Sequence, residues 1–385
     1  MRVLHVITRM IVGGAQENTM LSCALVDPVR FPSVLLTGPE TGVEGELHGE
    51  AAARGVTVRV EPHLVRRLSP WHDLRALWRI YRLLRRERFD VVHTHSSKAG
   101  ILGRLAARLA GVPIVVHTVH GWSFNDHQPR YVRALYVQLE RWCAPLASAL
   151  VVVGTPDQAA GVALGIGRPD QYELIRSGIE IEAYRDVALD RAGARERLGL
   201  PAEAFVFGSV GRLGEQKSPL DLLRAFERVA GACPGAQLVY VGDGPQRNAL
   251  IAAIERAGLA GRVHLAGLRR DVPELLRAFD VFVLASRWEG LPRVFPQAMA
   301  AGLPIVATRV DGAPDAVIPG ETGWLVEVGD VEGLARRMTE LANDGGTAAR
   351  MGAAGRARVD PFSATRMVRQ LEALYTRLAE ERWPG

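Results

Sequence analysis

Two basic residues, Arg212 and Lys217, follow a predicted strand in the second half of the chain. They belong to residues 211–217, a loop with two glycines that leads into a helical pattern beginning at Pro219. The planar fork of an arginine and the compact charge of a lysine together suit the oxygens of a diphosphate. Lysine is rare here, since only Lys98 and Lys217 stand among 47 basic residues. The loop therefore predicts an anion site, with two solvated charges as the alternative.

A second group of chemically useful residues follows another predicted strand, in residues 288–308. Glu289 precedes Gly290 and Leu291, and Pro292 can begin a helix because its missing N–H costs little there. Backbone amides at the start of a helix attract anions. The pattern predicts that the amides of Gly290 and Leu291 face an anion, while Glu289 faces the neutral part of the same ligand.

Gly13 and Gly14 separate the first predicted strand from the first predicted helix. Glycine lets a backbone approach an anion closely, and the start of a helix supplies N–H groups with no partner in the helix. The spacing is not G-x-G-x-x-G, so the dinucleotide fingerprint is absent. The two glycines fit an anion site and a plain tight turn equally well.

Four histidines lie between residues 93 and 120. His93, His95 and His117 raise the possibility of a metal site, but two of them lie in strand-like runs, and we expect His93 and His117 to be structural. His95, with Lys98 at the start of the next helix, is expected to face an acceptor or its phosphate. His120 follows a strand, where a lone histidine is most often a hydrogen-bonded loop residue. No Asp-x-Asp motif follows a predicted strand, so no catalytic metal is predicted.

Short apolar runs alternate with helical patterns along the chain, which indicates crossover units and parallel sheets. The predicted strands are residues 2–8, 33–36, 56–60, 91–94, 113–118, 149–153, 205–210, 237–241, 263–266, 281–285 and 304–308. The alternation of predicted strands and helices is interrupted near residues 186–200. We therefore predict two doubly wound α/β domains, residues 1–185 and 186–360, followed by an amphipathic helix in residues 361–385. Such domains bind ligands at the carboxyl ends of their strands.

The composition excludes several classes of protein. The chain has 385 residues, 48% of them hydrophobic, which is enough for two or three cores. Three scattered cysteines exclude a disulfide framework and a cysteine-rich metal site. The uncharged stretches are shorter than the ~20 residues that a membrane span needs, and Arg9 interrupts the first apolar run. Neither a span nor a secretory signal is predicted, and a cytoplasmic protein is expected.

The formal net charge of +5 is too mild to demand a nucleic-acid partner. Positive charge is concentrated in residues 63–88, where eight arginines stand against one aspartate and one glutamate, with Trp71, Trp78 and Tyr81 among them. Such a helix can lie on an anionic membrane surface, here at the inner face, or its aromatic side chains can pack into the first domain. Residues 129–142 repeat this composition.

These motifs together resemble the retaining glycosyltransferases of family 4, which have the GT-B fold of two Rossmann-like domains facing a central cleft. The resemblance is carried by residues 13–14, 117–121, 211–217, 242–245 and 289–308. It covers nearly the whole chain in the right order. It implies that the first domain binds the acceptor, that the second binds a nucleotide diphosphate sugar, and that the last helix crosses back to pack on the first domain.

The resemblance also assigns roles. The donor-binding residues that it implies are Gly13, Gly14, Arg212, Lys217, Gly267, Leu268, Gly290, Leu291 and Gln297. Arg212 and Lys217 would hold the diphosphate, and the backbone of the loop at Gly267 would meet the base. The catalytic residues would be Glu289, on hydroxyls of the donor sugar, and His120, near the face from which the leaving group departs.

The chain departs from the family pattern at Gln297, where a second glutamate usually stands eight positions after the first. In the family that glutamate takes the ribose hydroxyls of the donor. Glutamine keeps the hydrogen bonds but loses the assistance of charge, a difference of about 1 kcal/mol, or about tenfold in donor affinity. We expect the chemistry itself to persist.

The implied function is transfer of a hexose-type sugar from a UDP- or GDP-sugar to a hydroxyl of a glycan or lipid-linked acceptor, in the assembly of cell-surface polysaccharide or another glycoconjugate. No cofactor and no metal are expected, and the configuration at the transferred carbon would be retained. Two alternatives stay open. One is a nucleotide-sugar epimerase of the same architecture, which needs further acid and base groups. The other is a non-catalytic nucleotide or glycan binder, for which Gln297 would mark lost turnover.

Overall fold

The computed structural model describes residues 1–39, 45–124 and 128–383. It divides into two compact units. The first unit comprises Met1–Gly178 and the chain from Ala364 onward, and the second comprises Ile179–Ser363. Within the described ranges, no helix is long and apolar enough to cross a lipid bilayer.

The first unit is built on seven parallel strands. They are β1 (Val3–Ile7), β2 (Ser33–Thr37), β3 (Thr57–Val60), β4 (Val91–His95), β5 (Ile114–Val119), β6 (Ala149–Val152) and β7 (Tyr172–Leu174). Their order in the sheet is β3-β2-β1-β4-β5-β6-β7, and each neighbouring pair is parallel. The central strands β1, β4 and β5 are buried along their whole length, as strands covered on both faces by helices must be.

Helices connect these strands and cover both faces of the sheet. They are α1 (Gly14–Ala24), α2 (His48–Ala53), α3 (Pro70–Glu87), α4 (Ser97–Ala110), α5 (Arg130–Cys143) and α6 (Thr155–Ala163). The helix expected in the basic segment of residues 63–88 corresponds to α3, which Pro70 begins at its first turn. A left-handed residue ends α3 at Arg88, and a left-handed glycine ends α4 at Gly111.

The second unit is built on six parallel strands. They are β8 (Phe205–Val210), β9 (Ala236–Val241), β10 (Val263–Gly267), β11 (Val281–Leu284), β12 (Ile305–Thr308) and β13 (Gly323–Val326), in the order β10-β9-β8-β11-β12-β13. The helices are α7 (Ile181–Arg185), α8 (Arg191–Arg197), α9 (Pro219–Ala232), α10 (Arg247–Arg256), α11 (Val272–Leu276), α12 (Val294–Ala300), α13 (Ala313–Ala316), α14 (Val331–Asn343) and α15 (Gly345–Ala357). The two wholly parallel sheets confirm the predicted α/β class.

The last helix, α16 (Ala364–Arg382), belongs to the first unit. Apolar residues at helical spacing, including Met367, Leu371 and Leu374, are buried in one cluster with Val3 of β1 and Val91 of β4. Each such leucine contributes about 1.5–3 kcal/mol by leaving water. The core of the first unit is therefore completed by the final segment of the chain.

The boundaries between the units differ from the predicted ones. The first boundary falls after Gly178, seven residues before the predicted 185, because α7 packs against α11 and α12 of the second unit. The Ile179 amide also donates to the Phe362 carbonyl oxygen at 2.8 Å, inside the second unit. The final segment begins at Ala364 rather than at residue 361, since residues 360–362 form a short 3₁₀ turn of the second unit.

Candidate functional site

The second sheet has its switch point at β8. Strand β9 lies on one side of β8 and β11 on the other. The connections from these strands leave toward opposite edges, which opens a crevice at the carboxyl ends of β8 and β11. The loop after β8 carries Arg212 and Lys217, and the loop after β11 carries Glu289. The strand order thus brings together the two loops that the sequence singles out.

Lys217 and Glu289 form an ion pair across these loops. Lys217 Nζ lies 2.5 Å from Glu289 Oε1, and the side chains are 19% and 8% exposed. The same carboxylate accepts a hydrogen bond from Ser286 Oγ at 2.7 Å, and Gln216 Nε2 lies 3.4 Å from its other oxygen. The Glu289 amide donates to Asp311 Oδ2 at 2.8 Å, from the loop after β12. Three loops therefore fix the orientation of Glu289.

The loop after β9 supports residues 211–217 by close packing of backbone on backbone. A Cβ on Gly242 would lie 2.0 Å from the Gly211 carbonyl oxygen, and one on Gly244 would lie 2.4 Å from the Leu213 carbonyl oxygen. The Leu213 amide donates to the Asp243 carbonyl oxygen at 3.0 Å. The Gly-Asp-Gly-Pro motif is therefore required by packing, because no residue with a side chain fits at these two glycines. Arg212 lies in the supported loop with an exposed side chain.

The segment between Glu289 and α12 presents two consecutive backbone amides. Among the residues that the structure describes, the amides of Gly290 and Leu291 donate no hydrogen bond, whereas the Gly290 carbonyl oxygen accepts one from Gly312 at 2.9 Å. The helix α12 begins at Val294 rather than at Pro292, and Pro292 contributes a preceding turn through the Phe295 amide at 2.9 Å. The two amides can therefore bind an anion beside Glu289.

Gln297 lies in the middle of α12 and is 7% exposed. Its side-chain amide makes no hydrogen bond to any described residue. The amide group itself remains in contact with solvent, so it is available to a ligand. Gly267 ends β10 with a positive φ of 69°, and its carbonyl oxygen accepts from the Gly242 amide at 2.7 Å. Leu268 follows it on the surface, beside the loop after β9.

The first sheet has its own switch point between β1 and β4. The loops that follow these strands are joined by Thr8 and Ser96, whose hydroxyls lie 2.8 Å apart. Gly13 has an extended backbone and precedes α1, which begins at Gly14. A Cβ on Gly13 would lie 2.7 Å from Gln16 Oε1, a flexible side chain that can move. The structure places both glycines at a helix start, as predicted, and leaves their ligand role open to test.

A network of buried histidines lies beside the switch point of the first sheet. His5 on β1 and His95 on β4 are joined by Nδ1 and Nε2 at 3.0 Å, and His95 Nδ1 lies 3.1 Å from His120 Nε2, just after β5. His93 is hydrogen-bonded to Tyr375 Oη of α16 at 2.5 Å. Sequence analysis did not single out His5, because a lone histidine in an apolar strand gives no pattern of its own.

Burial keeps four histidines of this region neutral, namely His5, His93, His95 and His117. It lowers the pKa of His5 to about 3. Burial likewise holds the pKa values of His93, His95 and His117 well below their usual range, and neighbouring histidines or Arg104 lower them further. A neutral imidazole has one N–H donor and one acceptor nitrogen. Each ring can therefore pass a hydrogen bond from one neighbour to the next.

The acceptor-facing roles predicted for His95 and Lys98 are not supported by the structure. His95 is 1% exposed and uses both ring nitrogens in bonds to other histidines. Lys98 Nζ lies 2.6 Å from Asp73 Oδ1 and also donates to the Arg67 carbonyl oxygen, so its charge is neutralised inside the first unit. The Ser-Ser-Lys pattern after β4 begins a helix, but the preceding strand is buried at the centre of the sheet.

Within the described part of the chain, His5, His93 and His95 are the one group of three ligand-type side chains close enough to share a metal ion, with ring nitrogens within 4.8 Å of one another. Both nitrogens of His93 already contact Tyr375 and Thr118, and both of His95 contact histidines. His93 and His117 are structural in this arrangement, as expected. We interpret the group as a hydrogen-bond network.

Comparison with known proteins agrees with this geometry. Residues 13–178 match the family model described as "Glycosyl transferase 4-like domain", and residues 190–358 match "Glycosyl transferases group 1". An Escherichia coli protein, UDP-Gal:alpha-D-GlcNAc-diphosphoundecaprenol alpha-1,3-galactosyltransferase, is 33% identical over 350 residues, which are 89% of this chain and 88% of that protein. The D-inositol 3-phosphate glycosyltransferase of Streptomyces scabiei is 31% identical over 295 residues, 71% of this chain and 65% of that protein.

Solved structures share the fold. The crystal structure of Anabaena HepE in complex with UDP and glucose superposes with a TM-score of 0.85 at 23% identity, covering 98% of this chain and all of that one. Sucrose-phosphate synthase from Thermosynechococcus elongatus gives a TM-score of 0.81 at 22% identity, covering 99% of each chain. With its two parallel α/β units and its matches along nearly the whole length, this chain belongs to the family 4 glycosyltransferases of the GT-B fold.

Proposed function

We propose that this chain is a retaining glycosyltransferase that moves a hexose from a UDP-sugar to a lipid-linked acceptor. The observation that carries the proposal is the pairing of Lys217 with Glu289 at the switch point of the second sheet, beside the open amides of Gly290 and Leu291. The cation and the amides suit the diphosphate of a nucleotide sugar, and the carboxylate suits the hydroxyls of its sugar. The Escherichia coli relative, named for UDP-galactose and a GlcNAc-diphosphoundecaprenol acceptor, supports this choice of donor and acceptor.

Each residue is assigned a part of the donor. Lys217 and Arg212, with the amides of Gly290 and Leu291, bind the diphosphate. Glu289 binds hydroxyls of the sugar, and its position is fixed by Ser286, Gln216 and Asp311 through the contacts described above.

The remaining donor contacts come from backbone and neutral groups. The Gln297 amide binds the ribose, and the backbone at Gly267 and Leu268 meets the base. In the first unit, Gly13 and Gly14 contribute backbone to the diphosphate, and His120 acts at the transferred sugar.

The chemistry that this arrangement supports is electrostatic. As the bond from the sugar to the diphosphate breaks, negative charge grows on the leaving oxygen, and Lys217, Arg212 and the two amides stabilise it. One such donor contributes about 2.7–4 kcal/mol to transition-state stabilisation. Because protein cations and amides supply the positive field, we propose that transfer is metal-independent. The departing diphosphate takes the proton of the incoming hydroxyl on the same face, which retains the configuration.

A lipid-linked acceptor requires that the enzyme reach a membrane surface, and α3 has a suitable face. Ala76, Ile80 and Leu84 are buried against the first core. The opposite face exposes Trp71 and Trp78, at 60% and 53%. Exposed indole rings with basic neighbours are typical of helices that lie in the interface of an anionic bilayer. Tyr81 of the same helix packs against the core, so the alternative that the aromatic side chains pack into the first domain holds for Tyr81 but not for the two tryptophans.

Arginines are arranged around the tryptophans of this face. The Arg75 guanidinium lies 4.4 Å from the centre of the Trp71 ring, and that of Arg82 lies 4.7 Å from the Trp78 ring. The arginines can therefore meet lipid phosphates while the rings enter the acyl boundary. We propose a peripheral position on an anionic membrane, with the charge of α3 toward the lipid.

Transfer itself tests the proposal. The purified chain is incubated with UDP-galactose and a GlcNAc-diphospho-lipid, with EDTA present, and the product is analysed by mass spectrometry and by NMR of the new anomeric centre. We expect a hexose added in the α configuration and UDP released. Tight binding of the donor without transfer or hydrolysis would favour a non-catalytic binder. Conversion of the nucleotide sugar to its epimer would favour an epimerase.

A further inference from the structure

We propose that His5 and His95 are positioning residues that act through His120, by a buried chain of hydrogen bonds that sets the tautomer and the orientation of the His120 ring. This inference rests on the proposed role of His120 in transfer. The three rings come from three neighbouring strands: β1, β4 and the end of β5. The chain therefore runs across the sheet toward its carboxyl edge.

The geometry is that of a continuous chain. The nitrogen-to-nitrogen distances are 3.0 Å from His5 to His95 and 3.1 Å from His95 to His120. The ring planes are inclined by only 13° and 26°, and the centroids lie 5.3 Å and 5.4 Å apart, as expected for rings joined in line through their nitrogens. His5 and His95 are 0% and 1% exposed, so water does not compete for these bonds.

The hydrogen bonds couple the tautomers of the three rings. Each bond joins Nδ1 of one ring to Nε2 of the next. A neutral imidazole carries one proton, so the nitrogen that donates in one ring fixes the nitrogen that donates in the others. The protons therefore lie on Nδ1 of all three rings or on Nε2 of all three, and the tautomer of His120 follows that of His5 and His95.

The neighbouring side chains hold the middle of this chain in place. His93 stacks on His95 with ring centroids 4.3 Å apart. His93 is itself held by Tyr375 Oη at 2.5 Å and by Thr118 Oγ1 at 2.6 Å. Because Tyr375 belongs to α16, the final helix supports the ring that connects His5 to His120.

A double-mutant cycle tests the proposal with the transfer assay above. We expect His120→Ala and His95→Leu each to lower kcat by about tenfold or more, while the KM for UDP-galactose changes little. If His95 acts through His120, the double variant is no slower than His120→Ala alone. The conservative His95→Asn keeps a donor at the Nδ1 position and restores most of kcat. If the fold losses of kcat in the two single variants multiply in the double variant, the two histidines act independently and the proposal is overturned.

A matched control separates positioning from stability. His117 is about as buried as His95, but its ring lies beside Gly100 of α4, and its Nδ1 lies 2.9 Å from Thr94 Oγ1 on β4. His117→Asn should lower the melting temperature without a comparable loss of kcat. If His95→Leu does not fold, His5→Phe and His5→Asn supply the same comparison of a lost and a kept donor. Equal kcat in the folded His5→Phe and His5→Asn variants would overturn the proposal that hydrogen bonds from His5 act on His120.

The wild-type protein gives a readout that needs no variant. Long-range ¹H–¹⁵N spectra report which ring nitrogen of each histidine carries the proton. We expect His5, His95 and His120 to carry their protons on the same ring nitrogen, Nδ1 in all three or Nε2 in all three, and different tautomers in neighbouring rings would overturn the proposal. A normal kcat in His120→Ala would instead overturn the role of His120 in the proposed function, whatever the spectra show.

Discussion

Lys217 Nζ and Glu289 Oε1 lie 2.5 Å apart, and this ion pair joins the loops after β8 and β11. In the free protein the carboxylate is therefore the partner of the cation that we assign to the diphosphate. A bound diphosphate would compete for Lys217 and leave Glu289 to the sugar hydroxyls. In the proposed complex, Lys217 contacts the leaving diphosphate and Glu289 contacts the transferred sugar.

Glu289→Gln should therefore reduce transfer and spare nucleotide binding. We expect kcat to fall by about tenfold or more, because the amide loses the charge-assisted bonds to the sugar. UDP should bind at least as tightly as to the wild type, since Lys217 no longer has a competing carboxylate. Calorimetry with UDP and initial rates with UDP-galactose measure the two effects. Glu215→Gln, an exposed acid in the loop after β8, is the control. Weaker UDP binding with unchanged kcat would place Glu289 at the nucleotide instead.

Gln297→Glu should strengthen nucleotide binding. The Gln297 side chain is largely buried, and its amide reaches solvent without a hydrogen-bond partner among the described side chains and backbone. A carboxylate there would accept charge-assisted bonds from the ribose hydroxyls, which predicts about tenfold tighter UDP binding. Pyrophosphate lacks the ribose and should bind both forms equally. If UDP affinity is unchanged or lower, the ribose is held elsewhere.

The buried histidines predict that stability falls as the pH drops below about 6.5. The pKa values of His5, His93, His95 and His117 are lower in the folded chain than the ordinary 6.5. The unfolded chain therefore binds more protons below that pH, which favours unfolding. Each histidine should contribute about 1 kcal/mol between pH 6.5 and 5.5. Urea unfolding of the first unit at pH 7.5, 6.5 and 5.5 measures this slope, and His117→Asn should remove about a quarter of it. Constant stability over this range would show that these rings are accessible to protons.

The exposed face of α3 predicts binding to anionic vesicles. Trp71→Ala with Trp78→Ala should weaken partitioning onto phosphatidylglycerol vesicles by about thirtyfold or more, because each indole loses roughly 1 kcal/mol or more of apolar burial. Trp383→Ala removes a comparably exposed tryptophan outside α3 and should have little effect. Co-sedimentation at low and high salt measures vesicle binding for each variant, because salt weakens the contribution of the charges but not that of the indoles. A double variant that still binds like the wild type would remove α3 from the lipid contact.

The fold could be predicted largely from the sequence, because fully buried parallel strands read as apolar runs between helices. The short edge strands β7 and β13 were not predicted, since a charge interrupts Tyr-Glu-Leu in β7 and the apolar run Trp-Leu-Val in β13 is only three residues long. The boundary after Gly178 could not be predicted either, because it depends on the packing of α7 against helices more than 90 residues later in the chain.

The site was only partly predictable. Lys217 and Glu289 were found from residue type and loop position, but their contact depends on β8 and β11 being neighbours, which the sequence does not state. His95 was expected to face an acceptor because Ser-Ser-Lys follows it. Burial at the centre of the sheet gives it histidine partners instead. Asp311 was missed, although its place just after β12 puts it at the carboxyl edge with the other loops.

Nucleotide binding at Lys217 is the most direct test of the account. Thermal unfolding is measured with UDP, GDP, dTDP and ADP at 1 mM for the wild type, Lys217→Ala and Lys98→Ala. A nucleotide at about 100 times its Kd stabilises the folded form by about 2.7 kcal/mol, which raises the melting temperature by a few degrees. We predict that UDP raises it in the wild type and in Lys98→Ala, the other lysine of the chain, but not in Lys217→Ala. An equal rise in all three proteins, or no rise with any nucleotide, would contradict the assignment of the donor site.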